Sequence, residues 1–109
     1  MTYHSIDSVV EIPPGTMKSV TANEIPVLLA NINGDYHAIQ RKCPHMGADL
    51  GQGRLVGFVV TCPKHAAGFD VRTGKAVSPF KMLFLKFKPK DAKTYPVKIE
   101  GGTLLVGME

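Results

Sequence analysis

The dipeptide Asn33–Gly34 constrains the fold of this chain more than any other short feature. It separates two strand-like runs, VLLANI before it and DYHAIQ after it, and Asn-Gly is the pair that best tolerates the positive φ angles of a type I′ hairpin turn. Similar turn signals occur at Gly101–Gly102, within GRLVGFVVTC and at RTGK (72–75), whereas a helical period is hard to find. We therefore expect an all-β fold, a small antiparallel β-sandwich or barrel.

The length and composition are those of one ordinary globular domain. The chain has 109 residues, of which 44% are hydrophobic and 20% charged, so a single domain over 1–109 is expected. No apolar run approaches the roughly 20 residues that span a bilayer, and the N-terminus lacks the basic leader and apolar stretch of a signal peptide. We expect a cytoplasmic protein, and a reducing compartment argues against a structural disulfide.

Both cysteines of the chain stand in the same small pattern. A proline follows each, and a histidine comes two or three residues after the cysteine: Cys43 with His45, and Cys62 with His65. Thiolate and imidazole are the ligands that borderline-soft metals prefer, and loops on a rigid β scaffold are where sites are built. The sequence predicts a metal centre with these four ligands, in a subdomain over about 41–79.

The ligand set by itself admits three interpretations. Two inert cysteines beside unrelated histidines would leave the repeated proline unexplained. A tetrahedral Cys₂His₂ zinc site fits the ligand count, although such sites usually group their ligands by type, whereas here each loop supplies one of each. A two-iron cluster explains why each loop has one cysteine and one histidine, because each loop can give its cysteine to one iron and its histidine to the other. The two remaining histidines, His4 and His37, are expected to be surface residues.

The stretch CPHMGADLGQGRLVGFVVTCPKHAAGFDVRTGKAVSP (43–79) resembles the cluster-binding region of the Rieske-type [2Fe–2S] ferredoxins. The resemblance implies one [2Fe–2S] cluster, with Cys43 and Cys62 on one iron and His45 and His65 on the exposed iron. It implies a soluble electron carrier, not an enzyme, that passes single electrons from a reductase to an acceptor such as an oxygenase. The alternative from another class is a zinc-stabilised Cys₂His₂ binding module with a basic docking arm.

Four positions bear on the redox potential that the resemblance implies. High-potential members of the family carry two further cysteines in a disulfide, where this chain has Ala48 and Lys64. They also place serine and tyrosine hydroxyls beside the sulfurs, where this chain has Ala67 and Phe69. Because such donors stabilise the added electron, their absence predicts a low potential, around −150 mV.

Lysines concentrate near the C-terminus. Six of them fall between Lys81 and Lys98, against one acid, Asp91. The segment KMLFLKFKPKDAK (81–93) is longer than the resemblance leads us to expect, and we interpret it as an extra strand or hairpin arm. A docking surface for an acidic redox partner, or a self-association edge, is the other interpretation. Neither a nucleic-acid partner nor a membrane span is expected.

Overall fold

The structure, a computed structural model, describes residues 1–6, 11–44, 47–63, 67–77 and 90–109. These residues form eleven strands and one 3₁₀ turn over Leu50–Gln52, with no α-helix among them, so the expected all-β class is confirmed. In chain order the strands are β1 Thr2–Ser5, β2 Thr16–Ala22, β3 Ile25–Ile32, β4 Asp35–Gln40, β5 Arg54–Val56, β6 Val59–Thr61, β7 Gly68–Asp70, β8 Ala76–Val77, β9 Thr94–Tyr95, β10 Val97–Glu100 and β11 Thr103–Met108. A search of the described residues finds no helix with the length and apolarity that crossing a membrane requires.

The strands form three antiparallel sheets. Their orders are β1-β11-β10, β2-β3-β4-β9 and β5-β6-β7-β8. The second sheet is the central layer, because its two faces contribute to two different hydrophobic clusters. One cluster joins it to the β5–β8 sheet, and the other joins it to β11.

Strand β3 shows this division residue by residue. Leu28 and Ala30 belong to the cluster shared with the β5–β8 sheet, whereas Val27 and Leu29 belong to the cluster shared with β11. Successive side chains of a strand point to opposite faces, so a strand between two cores is apolar at every position rather than at alternate ones. That is why the run VLLANI contains almost no polar residue.

The predicted hairpin turns are present. Asn33 and Gly34 both have positive φ, 56° and 94°, as a type I′ turn requires, and Gly101 and Gly102 do the same at 58° and 80°. The side chain of Asn31 supports the first turn: its Oδ1 accepts a hydrogen bond from the Gly34 N–H at 2.8 Å. Local turn chemistry therefore fixes the order in which β3, β4, β10 and β11 pair.

The β5–β8 sheet is aligned by one row of apolar residues that crosses all four strands. Leu55 pairs with Val60, Val60 with Phe69, and Phe69 with Ala76. Val60 and Phe69 are fully buried, so this row faces the central sheet. Of the two cysteine-bearing segments, one follows the end of β4 and the other connects β6 to β7 of this sheet.

Candidate metal centre

Each cysteine lies at the end of a strand that the core holds in place. Cys43 follows β4 and Cys62 directly follows β6. Both belong to the described part of the chain, both are 2% exposed, and both are thiols rather than halves of a disulfide. They are members of one hydrophobic cluster together with Leu50 and Val60, so the fold brings the two distant loops to the same core.

The two loops have the same backbone frame. In loop 1 (residues 43–48) the Cys43 N–H donates to the Ala48 carbonyl at 2.7 Å, and in loop 2 (residues 62–67) the Cys62 N–H donates to the Ala67 carbonyl, also at 2.7 Å. A paired residue brackets each loop: Lys42 pairs with Asp49, and the matching residues of loop 2 pair in the β6–β7 ladder. The loops thus span the same number of residues, although the histidine stands one position later in the second.

Loop 1 is closed by the 3₁₀ turn that follows it. The Asp49 side chain accepts a hydrogen bond from the Gly51 N–H at 2.8 Å, and the Leu50 N–H donates to the Arg41 carbonyl at 2.7 Å. Leu50 is fully buried beside the cysteines. A carboxylate cap at a turn and an apolar anchor therefore determine the path of the chain on the C-terminal side of loop 1.

Gly53, the residue before β5, lies against the last residue of β6, Thr61. A Cβ at this position would lie 1.8 Å from the carbonyl oxygen of Thr61, and Thr61 is the residue before Cys62. Glycine is needed here for the close approach of two backbones and not for its φ, which is −87°. This contact gives a packing reason for one of the glycines in the sequence pattern.

These two cysteines suit an iron of a [2Fe–2S] cluster. A buried thiolate is costly unless a cation compensates its charge, and thiolates are the usual ligands of iron in such clusters. Their backbones are fixed in advance by the matched hydrogen bonds, so two sulfurs are presented from equivalent positions. His45 and His65, the other predicted ligands, lie outside the described residues, as does Lys64.

Three of the four positions that the sequence linked to redox potential lie among the described residues, and these three are apolar and packed. Phe69 is fully buried in β7, and Ala48 and Ala67 are half-buried against the same cluster that holds the cysteines. The Ala48 and Ala67 carbonyls are the acceptors that close the two loops. Alanine and phenylalanine side chains provide no hydroxyl donor at these positions.

A second cluster of polar contacts anchors the β6–β7 hairpin, and no motif pointed to it. The Arg72 guanidinium lies 3.8 Å over the ring of Phe58 and forms two hydrogen bonds to the Asp70 carboxylate, at 3.0 and 2.8 Å. The hydrogen bond from the Arg72 side chain holds the pKa of Asp70 below its usual value. His37 is half-buried rather than a surface residue, with its ring 6.4 Å from that of Phe58.

Sequence reasoning also missed Gln40. Its side chain touches both the residue before Cys43 and the end of the lysine-rich segment, where only residues 90–93 are described. The predicted docking or self-association role of 81–93 otherwise lies outside the described residues. His4, the other predicted surface histidine, is half-buried in β1.

Comparison with known proteins bears on the same residues. The Rieske [2Fe-2S] domain family matches residues 2–83. The chain is 37% identical to the ferredoxin component of the naphthalene 1,2-dioxygenase/salicylate 5-hydroxylase systems of a Ralstonia species, over all of both chains. It is also 37% identical to the biphenyl dioxygenase ferredoxin subunit of a Pseudomonas species, strain KKS102, over 97% of this chain and 92% of that one.

Among solved structures, the ferredoxin of Sphingomonas yanoikuyae B1 superposes with a TM-score of 0.81 at 25% identity, covering 99% of this chain and 100% of that one. The family match favours an iron–sulfur centre over the zinc alternative. The chain therefore belongs to the Rieske [2Fe–2S] family, as a ferredoxin-type electron carrier that holds one [2Fe–2S] cluster.

Proposed function

We propose that this ferredoxin carries single electrons, in the cytoplasm, from a reductase to the terminal oxygenase of a dioxygenase system. The observation that carries the proposal is the full-length similarity to chains that are themselves ferredoxin components of such systems. One domain over 1–109, with a cluster-binding subdomain over about 41–79, is part of the proposal.

Four side chains hold the cluster in this proposal. Cys43 and Cys62 bind one iron, and His45 and His65 bind the other. The matched frames of the two loops support the cysteine half of the assignment, since they present two buried sulfurs from equivalent backbone positions. When bound, the cluster supplies a one-electron couple.

The chain's own residues set the surroundings in which that couple works. Leu50, Val60 and Phe69 exclude water from the cysteine side because all three are fully buried in the same cluster. The Cys43 and Cys62 N–H groups are used within their own loops, and the half-buried Ala67 and buried Phe69 lack hydroxyl donors. The lack of hydroxyl donors at Ala67 and Phe69 favours a potential at the low end of the Rieske range, around −150 mV.

The ligand assignment is tested with a histidine pair. His65→Cys is expected to keep an iron centre but to lose the Rieske paramagnetic signal and to lower the midpoint potential. His37→Cys, a change of the same chemistry away from the loops, is the control and is expected to leave both unchanged. An unaltered Rieske spectrum in His65→Cys would remove His65 from the ligand set, and a colourless wild-type protein with one zinc per chain would refute the cluster itself.

The direction of electron transfer is tested by single turnover. The dithionite-reduced ferredoxin is freed of excess reductant and mixed with the oxygenase of a naphthalene or biphenyl dioxygenase system, its aromatic substrate and oxygen. Reoxidation of the ferredoxin should accompany product formation. If the reduced protein stayed reduced with both oxygenases while remaining competent to reduce a small-molecule acceptor, the proposed acceptor class would be wrong.

A further inference from the structure

The described end of the lysine-rich segment, residues 90–93, is fastened to the β7–β8 turn. The Ala92 N–H donates to the Gly74 carbonyl at 2.7 Å, and the Asp91 carboxylate accepts a hydrogen bond from the Ala76 N–H at 2.8 Å. A Cβ on Gly74 would lie 2.0 Å from the Ala92 carbonyl oxygen, so the two backbones are in close contact. We call residues 90–93 the strap.

The strap is also fastened to the end of β4, through Gln40. The Gln40 N–H donates to the Lys93 carbonyl at 2.8 Å, and the Gln40 Oε1 accepts a hydrogen bond from the Lys93 N–H at 2.6 Å. Both ends of the Gln40 residue, backbone and side chain, therefore engage the same strap residue.

The other end of the Gln40 amide reaches loop 1. Its Nε2 donates to the Lys42 carbonyl at 2.6 Å, and Lys42 directly precedes Cys43. The orientation of the amide is determined by its partners, because Lys93 offers an N–H and Lys42 offers a carbonyl. Both partners are backbone groups, so the contact does not depend on the identity of the lysine side chains.

The strap and the cysteines also share a core. Ala92 is 7% exposed and belongs to the hydrophobic cluster that contains Cys43 and Cys62. Ala92 thus shares a hydrophobic cluster with Cys43, and the Gln40 amide joins Lys93 to Lys42 by hydrogen bonds. Removing the amide would leave the packing in place, which allows the two connections to be tested separately.

We propose that Gln40 is a positioning residue for Cys43: its amide ties the backbone of Lys42, directly before the ligand, to the strap, so that Lys42 and Cys43 are held in place relative to residues 90–93. The inference rests on the proposed ligand role of Cys43. Each of the two side-chain hydrogen bonds is worth about 0.5–1.5 kcal/mol, which corresponds to roughly 2- to 12-fold in an equilibrium for local opening.

Two substitutions separate the two ends of the amide. Gln40→Leu removes both hydrogen bonds at similar volume. Gln40→Glu keeps an oxygen that accepts the Lys93 N–H but cannot donate to the Lys42 carbonyl. Thr16→Val is the control, because it removes a side-chain-to-backbone hydrogen bond of the same type, from Thr16 Oγ1 to the Pro13 carbonyl, on the strand β2.

Two measurements on the cluster-containing protein read the outcome. Amide hydrogen exchange, followed by mass spectrometry, reports the opening of peptides that cover 41–50 and 90–95. Transfer of iron to a chelator, followed by visible absorbance, reports the release of the cluster. Gln40→Leu is expected to speed exchange in both peptides and to release iron several-fold faster. Gln40→Glu should speed exchange in the peptide 41–50 while the peptide 90–95 exchanges as in the wild type. Thr16→Val should leave exchange in both peptides unchanged.

Wild-type exchange in 41–50 and wild-type iron release in Gln40→Leu would overturn the inference. A uniform rise in exchange along the whole chain would also overturn it, because that is the effect of lost global stability and not of lost positioning. The ligand assignment has its own test: retention of the Rieske spectrum by Cys43→Ala would refute the role of Cys43, whatever the Gln40 variants do.

Discussion

Replacing Gly53 by alanine tests whether the close approach of Gly53 to Thr61 holds loop 2 in place. The new Cβ would lie 1.8 Å from the Thr61 carbonyl oxygen and 3.0 Å from its carbon. A carbon and a carbonyl oxygen approach no closer than about 3.3 Å, so the two backbones must separate by more than about 1 Å. Since Thr61 is bonded to Cys62, the displacement falls directly on a proposed iron ligand.

The magnitude follows from which atoms are in the way. Overpacking costs about 1–3 kcal/mol when side chains can yield, and here the obstructing atoms are backbone, so we expect about 3 kcal/mol and a melting temperature lower by roughly 12–20 °C. Gly57→Ala in the same hairpin is the matched control. Gly57 has a φ of +59° with nothing within 4 Å of an added Cβ, so only backbone strain of about 1–2 kcal/mol is expected.

The assay compares both variants by thermal unfolding in circular dichroism and by the visible absorbance of the cluster per chain. Gly53→Ala should melt below Gly57→Ala and should retain much less cluster. If Gly53→Ala melted as high as the control with a full complement of iron, the close approach would not position loop 2.

Three further changes test the surroundings of the site. Ala67→Ser adds a hydroxyl in loop 2. A hydrogen bond to a charged group is worth about 1.5–3 kcal/mol, and if half of this energy is gained only in the reduced state, the midpoint potential rises by roughly 30–60 mV. A voltammetric midpoint that is unchanged or lower would contradict this. Asp70→Asn removes a carboxylate whose pKa in the folded state is lowered by the hydrogen bond from Arg72. The charged carboxylate therefore stabilises the native state above the unfolded pKa of about 3.9, and this stabilisation is lost as pH falls through the lower folded pKa. The variant should melt below the wild type at pH 7 and at the same temperature as the wild type in strong acid, and equal melting at pH 7 would refute the reasoning. Cys62→Ala, which leaves no donor atom at this position, should abolish the visible chromophore, and its retention would exclude Cys62 as a ligand.

The turns could be predicted because their chemistry is local. Asn33–Gly34 adopts positive φ at both residues, and no distant contact is needed to explain why. Which hydrophobic core each face of β3 contacts could not be predicted in the same way, since an apolar run that is buried on both sides has the same composition whichever cores it faces.

The two cysteines of the candidate site could be singled out from the sequence, but the residues that support them could not. Cys43 and Cys62 stand out because two identical patterns use the only two cysteines of the chain. Gln40 has no motif, because its role depends on a partner 53 positions away. His37 was expected at the surface, and it is half-buried, with its ring against Phe58 of the turn between β5 and β6.

The two faces of β3 have a consequence for engineering this protein. Leu28 and Ala30 contact the core that includes the cysteines, whereas Val27 and Leu29 contact a core that contains neither. A designer who wishes to raise thermal tolerance can repack the Val27 face and leave the redox behaviour as it is. A designer who wishes to tune the redox behaviour has the Leu28 face, one residue away along the same strand.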